Sequence, residues 1–368
     1  SSAPTAVPVR AITEAAAVDG LLCWCRAGFE PDLAAELTER AAQAGLHGHA
    51  RANRGDGYVL FIGDPRLDGA LPCNRLVFAR QSLRLLAELR GLDPRDRATP
   101  IVEAVAALRP DAGYGALLVE HPDSDAGKPL SALARSFGNA LRPALRRHGL
   151  LAAQERPSAL RLHVCFVAGD HVLLAESDPA RSAPWPMGVP RLRLHRDAPS
   201  RSALKLEEAL LVLLDEAQRR EHLRPGMRAA DLGAAPGGWT WVLVRHGLHV
   251  TAIDNGPLRP HLFDSGLVEH LRADGFRWQP PRPLDWMVCD MVEQPSRVAR
   301  RMGQWLREGW CRHTIFNLKL PMKKRWLETQ RSLAMFEEQA GIPLAVRARQ
   351  LYHDREEITV QASPRATA

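Results

Sequence analysis

Apolar positions recur along the chain with two different periods. Residues 21–25 (Leu-Leu-Cys-Trp-Cys) and 57–63 (Gly-Tyr-Val-Leu-Phe-Ile-Gly) are short apolar runs of strand length. Between them, residues 31–44 place Leu33, Leu37 and Ala41 on one helical face. Residues 76–89 read as a second helix. This β-α-β-α alternation predicts a small ferredoxin-like α+β unit over residues 1–95.

A second α+β unit is expected over residues 96–195. Residues 101–108 read as a helix and 115–120 as a strand. Residues 130–148 read as a long helix carrying Arg135, Arg142, Arg146 and Arg147. Residues 160–167 (Leu-Arg-Leu-His-Val-Cys-Phe-Val) alternate as a half-buried strand does, and 171–175 supply a hairpin partner. The arginine-bearing helix suits either RNA phosphates or a solvated face. The Pro-rich stretch 183–190 and Ala198-Pro199-Ser200 mark a linker, with a boundary near residue 196.

Beyond the linker the pattern changes. Residues 202–220 repeat Leu206, Leu210, Leu213 and Ala217 at helical spacing, with Ser202 as a prospective N-cap. Lys205 falls in the first turn, where a cation opposes the helix dipole. Then come three short apolar strands, each ending on an acid: Asp231, Asp254 and Asp290. The first runs into Asp-Leu-Gly-Ala-Ala-Pro-Gly-Gly-Trp-Thr, a glycine-rich turn followed by a helix. An acid, a glycine turn and a helix, with a carboxylate about 20 residues further on, is how a doubly wound sheet builds a nucleotide-type pocket. Residues 316–321 form an apolar strand carrying Lys319, followed by the basic cluster Lys323, Lys324 and Arg325. Residues 352–360 enter a last strand through a charged turn.

Composition narrows the function classes. The 368 residues carry 49 basic and 42 acidic side chains, a net +7 with pI about 9.4. The excess is spread: 23 basic against 21 acidic in residues 1–195, and 26 against 21 in 196–368. Such a balance suits a polyanion partner and also plain solubility. The six cysteines form no C-x-x-C pair, which argues against zinc and disulfide frameworks. No apolar run reaches the ~18 residues of a membrane span, and the first ten residues have no signal-peptide pattern. A cytoplasmic protein without a metal is expected, with a monomer as the default. Only five of the basic residues are lysines, and four of them (Lys205, Lys319, Lys323, Lys324) lie in the carboxy-terminal domain. Lysine does what arginine cannot: it gives up its proton when its surroundings disfavour the charge.

Lys205, Asp290, Lys319 and Glu356 stand out as a set. Each lies at the edge of a strand or helix, and two cations with two anions would converge beside the pocket. Attack by a hydroxyl nucleophile needs a base, in-line alignment and charge balance. Lys319, near Asp290 at a strand end, is expected to be partly desolvated, the condition under which an amine serves as a base. Asp290 and Glu356 would orient the lysines.

The glycine turn in its D-x-G-x-x-x-G form resembles the first motif of S-adenosylmethionine-dependent methyltransferases. The four-residue set resembles the Lys-Asp-Lys-Glu constellation of FtsJ-like Rossmann-fold ribose 2′-O-methyltransferases. Longer phrases are similar to those of the bacterial 23S rRNA cytidine 2′-O-ribose methyltransferases. Among them are Ala-Pro-Gly-Gly-Trp-Thr, Trp-Met-Val-Cys-Asp-Met-Val-Glu and Phe-Asn-Leu-Lys-Leu-Pro-Met-Lys-Lys-Arg. The resemblance is strong over the last ~170 residues and looser before them. It implies an α/β chain: a Rossmann-fold methyltransferase domain over 196–368, preceded by a ferredoxin-like subdomain and a THUMP RNA-binding domain. It implies S-adenosyl-L-methionine as cofactor, 23S rRNA as partner and Lys319 as proton acceptor. Cofactor contacts are implied at Ser202, Ala235, Pro236, Gly237, Gly238, Asp254, Asp274 and Asp290. Asp274 would face the adenine. Ala235 stands where the family carries Cys, a change that leaves backbone contacts intact. Glu356 and Glu357 are adjacent; Glu356, directly after Arg355, is the favoured fourth member. Two rivals remain: a THUMP-bearing tRNA base methyltransferase and a non-catalytic RNA-binding assembly factor. The chain lacks the Asn/Asp-Pro-Pro-Tyr/Phe motif of the former, because Asp290 is followed by Met291-Val292-Glu293. The modified nucleotide is left open.

Overall fold

The computed structural model describes residues 14–366, in two compact units that divide between Val189 and Pro190. The first unit is built on one seven-stranded sheet. Its elements are β1 (Glu14–Trp24), α1 (Glu30–Gln43), β2 (Gly48–Arg51), β3 (Tyr58–Gly63), α2 (Leu67–Ala70) and β4 (Gln81–Arg90). They continue with α3 (Ala98–Leu108), β5 (Ala116–Glu120), α4 (Ser131–Arg147), β6 (Arg161–Ala168) and β7 (His171–Ser177). The strand order is β2-β3-β1-β4-β7-β6-β5. Thus the ferredoxin-like and following segments share a single sheet, joined where β4 pairs with β1 on one side and β7 on the other.

One element departs from its expected type: residues 76–89 do not form a helix, and most of the stretch is strand β4. As a central strand, β4 is buried along almost its whole length. A strand covered on both faces loses the polar alternation that marks strands, and its closely spaced leucines then imitate a helical face. On α4, Arg142 donates to the Leu117 carbonyl and Arg146 to that of Ala152, so these two serve the fold. Arg135 and Arg147 are exposed.

The second unit begins with α5 (Ala203–Leu213) and α6 (Glu216–His222). It continues with β8 (Arg228–Leu232), α7 (Gly238–Arg245), β9 (His249–Ile253), β10 (Val268–Leu271) and β11 (Leu284–Cys289). The remainder is α8 (Pro295–Arg307), β12 (Cys311–Lys319), α9 (Arg325–Ala340), β13 (Leu344–Arg349) and β14 (Glu357–Pro364). The order is β10-β9-β8-β11-β12-β14-β13, with β8 to β12 parallel and β14 antiparallel to both its neighbours. The apolar core has two sides. Trp286, Val288 and Ile315 pack with Leu206, Leu210, Trp239 and Leu243 of α5 and α7. One residue further on, Phe316 meets Phe336 of α9 edge-on at 5.0 Å.

The expected single helix over 202–220 is two helices. Leu214 is extended, and Asp215 starts α6 with a reciprocal capping box to Gln218 (2.8 and 2.9 Å). Arg219 turns back onto the carbonyls of Leu210, Leu211 and Leu214, satisfying acceptors that the end of α5 leaves open. Among the described residues no helix is long and apolar enough to cross a membrane, and no His/Cys/Asp/Glu group is arranged to hold a metal.

Candidate active site

The sheet of the second unit reverses direction between β8 and β11. From β8 the chain moves outward to β9 and β10, then returns to place β11 on the other side. Ligands of open α/β sheets sit at such a switch point, beyond the carboxyl ends of the strands. Here that crevice lies between the glycine turn after β8 and Asp290 after β11.

The turn is built for close approach. Gly233 holds φ +74°, and a Cβ there would meet Met291 Cγ at 2.3 Å. Gly237 holds φ +116° and opens α7. The Asp254 carboxylate accepts the Ala235 N–H (2.9 Å) through one oxygen and the Gly256 N–H (2.8 Å) through the other. It therefore fixes the 235–238 turn while keeping lone pairs for a ligand. Asp274 is exposed after β10 and accepts the Phe276 N–H (2.8 Å). Asp231 is fully buried and bonded by the Thr240 hydroxyl (2.8 Å). Burial, reinforced by the charges of Asp290 and Asp254, pushes its carboxyl up to about 7 despite that hydrogen bond.

Ser202 does not cap α5, contrary to the sequence expectation. It sits at the N-cap with φ −60° and ψ −21°, and its hydroxyl pairs with that of Ser200 at 2.6 Å. A helical backbone at this position aims the side chain away from the N–H groups that a cap serves. The Ser202 carbonyl instead accepts the Trp239 indole N–H (2.9 Å), tying the start of α5 to α7.

Lys205 Nζ reaches Asp290 Oδ1 at 3.4 Å and Glu357 Oε1 at 2.5 Å. All three side chains are about one-fifth exposed. Burial works against the ammonium, but Asp290 and Glu357 outweigh it and hold the Lys205 pKa above its ordinary value. Lys205 is thus a fixed cation between two anions. Its place against the helix dipole is settled by these partners.

Glu356 does not join the group. Side chains alternate along a strand, so neighbours face opposite ways. Glu357 shares the face of Thr359, and the β12–β14 register puts it directly opposite Lys319. Glu356 turns toward Arg325 of α9 (3.8 Å) with half its side chain exposed. Lys319 is exposed at the end of β12, not desolvated as its apolar strand had suggested. The strand's apolar residues are buried within the sheet, whereas Lys319 stands at its rim. It lines an open cleft of about 470 Å³ with Val292, Pro295, Leu320 and Pro321.

Four further residues organise the site and were not singled out from the sequence. Asn317 is buried; its amide N–H donates to Asp290 Oδ1 (3.0 Å) and its oxygen accepts from the Thr359 hydroxyl (2.8 Å). Thr359 also lies 2.8 Å from Asp354 Oδ2, a carboxyl that burial and then the Glu357 charge push well up. Glu208, one turn after Lys205 on α5, accepts the Tyr352 and His353 N–H groups and His353 Nδ1 (2.8–2.9 Å). It pins the turn that delivers Glu357. A polar residue two positions before Lys319 and another two after Glu357 was the available signal, given strand periodicity.

The crevice suits a neutral or cationic ligand. Asp254, Asp274 and Asp290 succeed one another along its rim, and acids at this density repel a pyrophosphate. They offer acceptors to ribose hydroxyls, an exocyclic amine or a sulfonium-bearing chain.

Residues 18–83 match the RlmM ferredoxin-like domain, 96–178 the Ribosomal RNA large subunit methyltransferase M N-terminal model, and 198–340 the FtsJ-like methyltransferase. Ribosomal RNA large subunit methyltransferase M of Xanthomonas oryzae pv. oryzae is 65% identical over 347 residues, covering 94% of this chain and 99% of the relative. The Xanthomonas campestris pv. campestris protein of the same name is 66% identical over the same length, with the same shares covered. The solved structure of TrmN from Thermus thermophilus is 19% identical over 94% of this chain and 100% of that one, at TM-score 0.36, too loose a likeness to argue from. With near-complete coverage at this identity, the chain belongs to the Ribosomal RNA large subunit methyltransferase M family.

Proposed function

We propose that this protein methylates a ribose 2′-hydroxyl of a cytidine in 23S rRNA, with Lys319 as the proton acceptor. S-adenosyl-L-methionine is the cofactor and supplies the methyl group as a sulfonium. Asp254, Asp274 and Asp290, with the backbone of Ala235, Pro236, Gly237 and Gly238 and the Ser202 region, are the residues that would hold it. The observation that carries the reading is the grouping of Lys205 between Asp290 and Glu357, with Lys319 in register beside Glu357.

The division of labour follows from charge and exposure. Lys205, locked between two carboxylates, keeps its proton and balances them. Asp290, held by Lys205 and Asn317, faces the crevice at the switch point. Lys319 stands free at the mouth of the cleft, where docked RNA covers it and displaces water. Desolvation disfavours the ammonium and favours the neutral amine that accepts the hydroxyl proton. Aligning hydroxyl and methyl in line supplies much of the rate in such a displacement. The first unit is assigned to RNA binding, as a THUMP-type domain following a ferredoxin-like one. Exposed Arg135 and Arg147 on α4 are available to phosphates.

The test is transfer of labelled methyl from S-adenosylmethionine to unmodified 23S rRNA by wild type, Lys319→Ala and Lys319→Arg. The expected result is label in an alkali-resistant dinucleotide for wild type, and none for two variants that still bind S-adenosylhomocysteine. Label on a base, or activity in both variants, overturns the reading.

A further inference from the structure

The cleft at Lys319 has chemistry that methyl transfer alone does not require. It is lined by the apolar residues Val292, Pro295, Leu320 and Pro321 and by Glu293, Gln294 and Glu328 beside Lys319. Val292 is 82% exposed at its rim, and Met322, just past Pro321, is 68% exposed. Isolated exposed apolar side chains are ordinary, but two beside one cleft next to a proposed catalytic lysine offer apolar contact, polarizable at the Met322 thioether. The two carboxylates differ. Glu293 is engaged by Arg297 at 2.8 Å. Glu328, in the first turn of α9, accepts only a long bond from the Ser332 hydroxyl (3.4 Å) and pairs with no cation among the described residues.

A carboxylate facing an RNA cleft repels phosphate, so the polynucleotide backbone does not run through this space. A carboxylate does accept from the amine of a base edge. Cations for the backbone lie outside the cleft, on the exposed Lys323 and Lys324. Lys324 holds φ 55° and ψ 42°, a left-handed conformation that glycine adopts at lower cost. Strain of this kind is retained where the side chain has a task.

We propose that this cleft seats the base of the nucleotide being methylated, and that Glu328 reads a 4- or 6-amino group on it, as cytosine or adenine presents and uracil or guanine does not. The inference rests on the ribose-methylation reading above. The target base packs between the apolar walls while its own 2′-hydroxyl faces Lys319. Lys324 holds a neighbouring phosphate and is indifferent to the base.

The experiment first locates the methylated nucleotide in unmodified 23S rRNA, then assays transcripts in which it is replaced by each of the other three. The enzymes are wild type, Glu328→Gln, Glu328→Asp and Lys324→Gly, each checked for S-adenosylhomocysteine binding. The expected outcome is that wild type prefers an amino base in kcat/KM. Glu328→Gln reduces the preference by about ten-fold or more. Glu328→Asp, which keeps the charge but withdraws it, moves it the same way. Lys324→Gly raises KM for every transcript alike. Comparison of the cytidine and adenosine transcripts tells which amine is read. A uridine or guanosine target, or an unchanged preference in both Glu328 variants, overturns the base pocket while leaving ribose methylation standing. Label on a base, or no label, overturns both.

Discussion

Glu357 lies directly across from Lys319 in the antiparallel register of β12 and β14, and its carboxylate closes on Lys205 at 2.5 Å. Its neighbour Glu356 is on the other face, toward Arg325. The two glutamates, consecutive in sequence, are therefore expected to have different consequences when changed. Glu357→Gln is expected to lower kcat on the order of 10²-fold, because Lys205 and Asp290 lose the partner that fixes their positions. Glu356→Gln is expected to stay within about two-fold, since an exposed ion pair contributes little. Single-turnover methylation of 23S rRNA with the two variants side by side checks this. Equal losses would mean that the strand face does not decide the fourth member.

Asn317 links Asp290 to Thr359 through bonds of 3.0 and 2.8 Å, and this fixes which way its amide points. Asn317→Asp replaces the donor by a second carboxylate next to Asp290. Like charges raise the pKa of one member of a pair. The acid limb of the pH–rate profile is therefore expected to move upward, with kcat falling about ten-fold at neutral pH. Thr359→Val, which keeps shape and removes the hydroxyl, is expected to cost about 1 kcal/mol of stability with a smaller loss of rate. A pH profile that does not shift in Asn317→Asp would assign Asn317 to packing alone.

Much of this arrangement was legible in the sequence, and what was not has physical reasons. Three acids at strand ends and the glycine turn located the crevice, because period-2 strands and φ-permissive glycines leave a local imprint. Of the residues singled out by chemistry, Lys205 and Asp290 lie 3.4 Å apart, and Lys319 is placed by strand register opposite Glu357, the other partner of Lys205. It is Glu357, and not the favoured Glu356, that contacts Lys205, a difference that strand alternation explains and adjacency to Arg355 does not. Thr359 and Asn317, both polar within apolar strands, carried the phase that decides it. Strand β4 was hidden because both its faces are buried. The break between α5 and α6 was visible as Asp215 with Gln218 three residues later, but the leucine repeat runs up to it and masked it. Lys319's exposure depends on where β12 ends relative to its neighbours, which no single segment encodes.

Glu208 is buried and gathers three donors from Tyr352 and His353. Removing it leaves two backbone N–H groups and an imidazole without their acceptor in the turn that leads to Glu357. Glu208→Ala is expected to destabilise the protein by about 3 kcal/mol, as lost hydrogen bonds to a charged group do. Glu208→Gln keeps one oxygen and is expected to cost less. Urea denaturation measures both. The accompanying loss of rate should exceed that of an equally destabilising core variant such as Leu210→Ala, because only Glu208 holds the Glu357 turn.

Asp231 makes stability depend on pH in an unusual direction for a carboxylate. Its folded-state pKa is raised to about 7, chiefly by burial, while an unfolded aspartate titrates near 3.9. Between these values the folded protein holds a proton that the unfolded chain has lost. Stability from this group is complete below about pH 4 and declines as pH rises toward about 7, at up to about 1.4 kcal/mol per pH unit. Asp231→Asn keeps the size of the side chain and can still accept from Thr240 Oγ1, but it cannot ionise. The variant is therefore expected to lose less stability than wild type between pH 5 and pH 7, by about one proton's worth of slope. Urea midpoints at half-unit steps of pH give the comparison, with other titrating groups common to both proteins cancelling in the difference. Parallel curves would show that Asp231 stays ionised in the folded protein, with its charge stabilised by Thr240 and the turn around it.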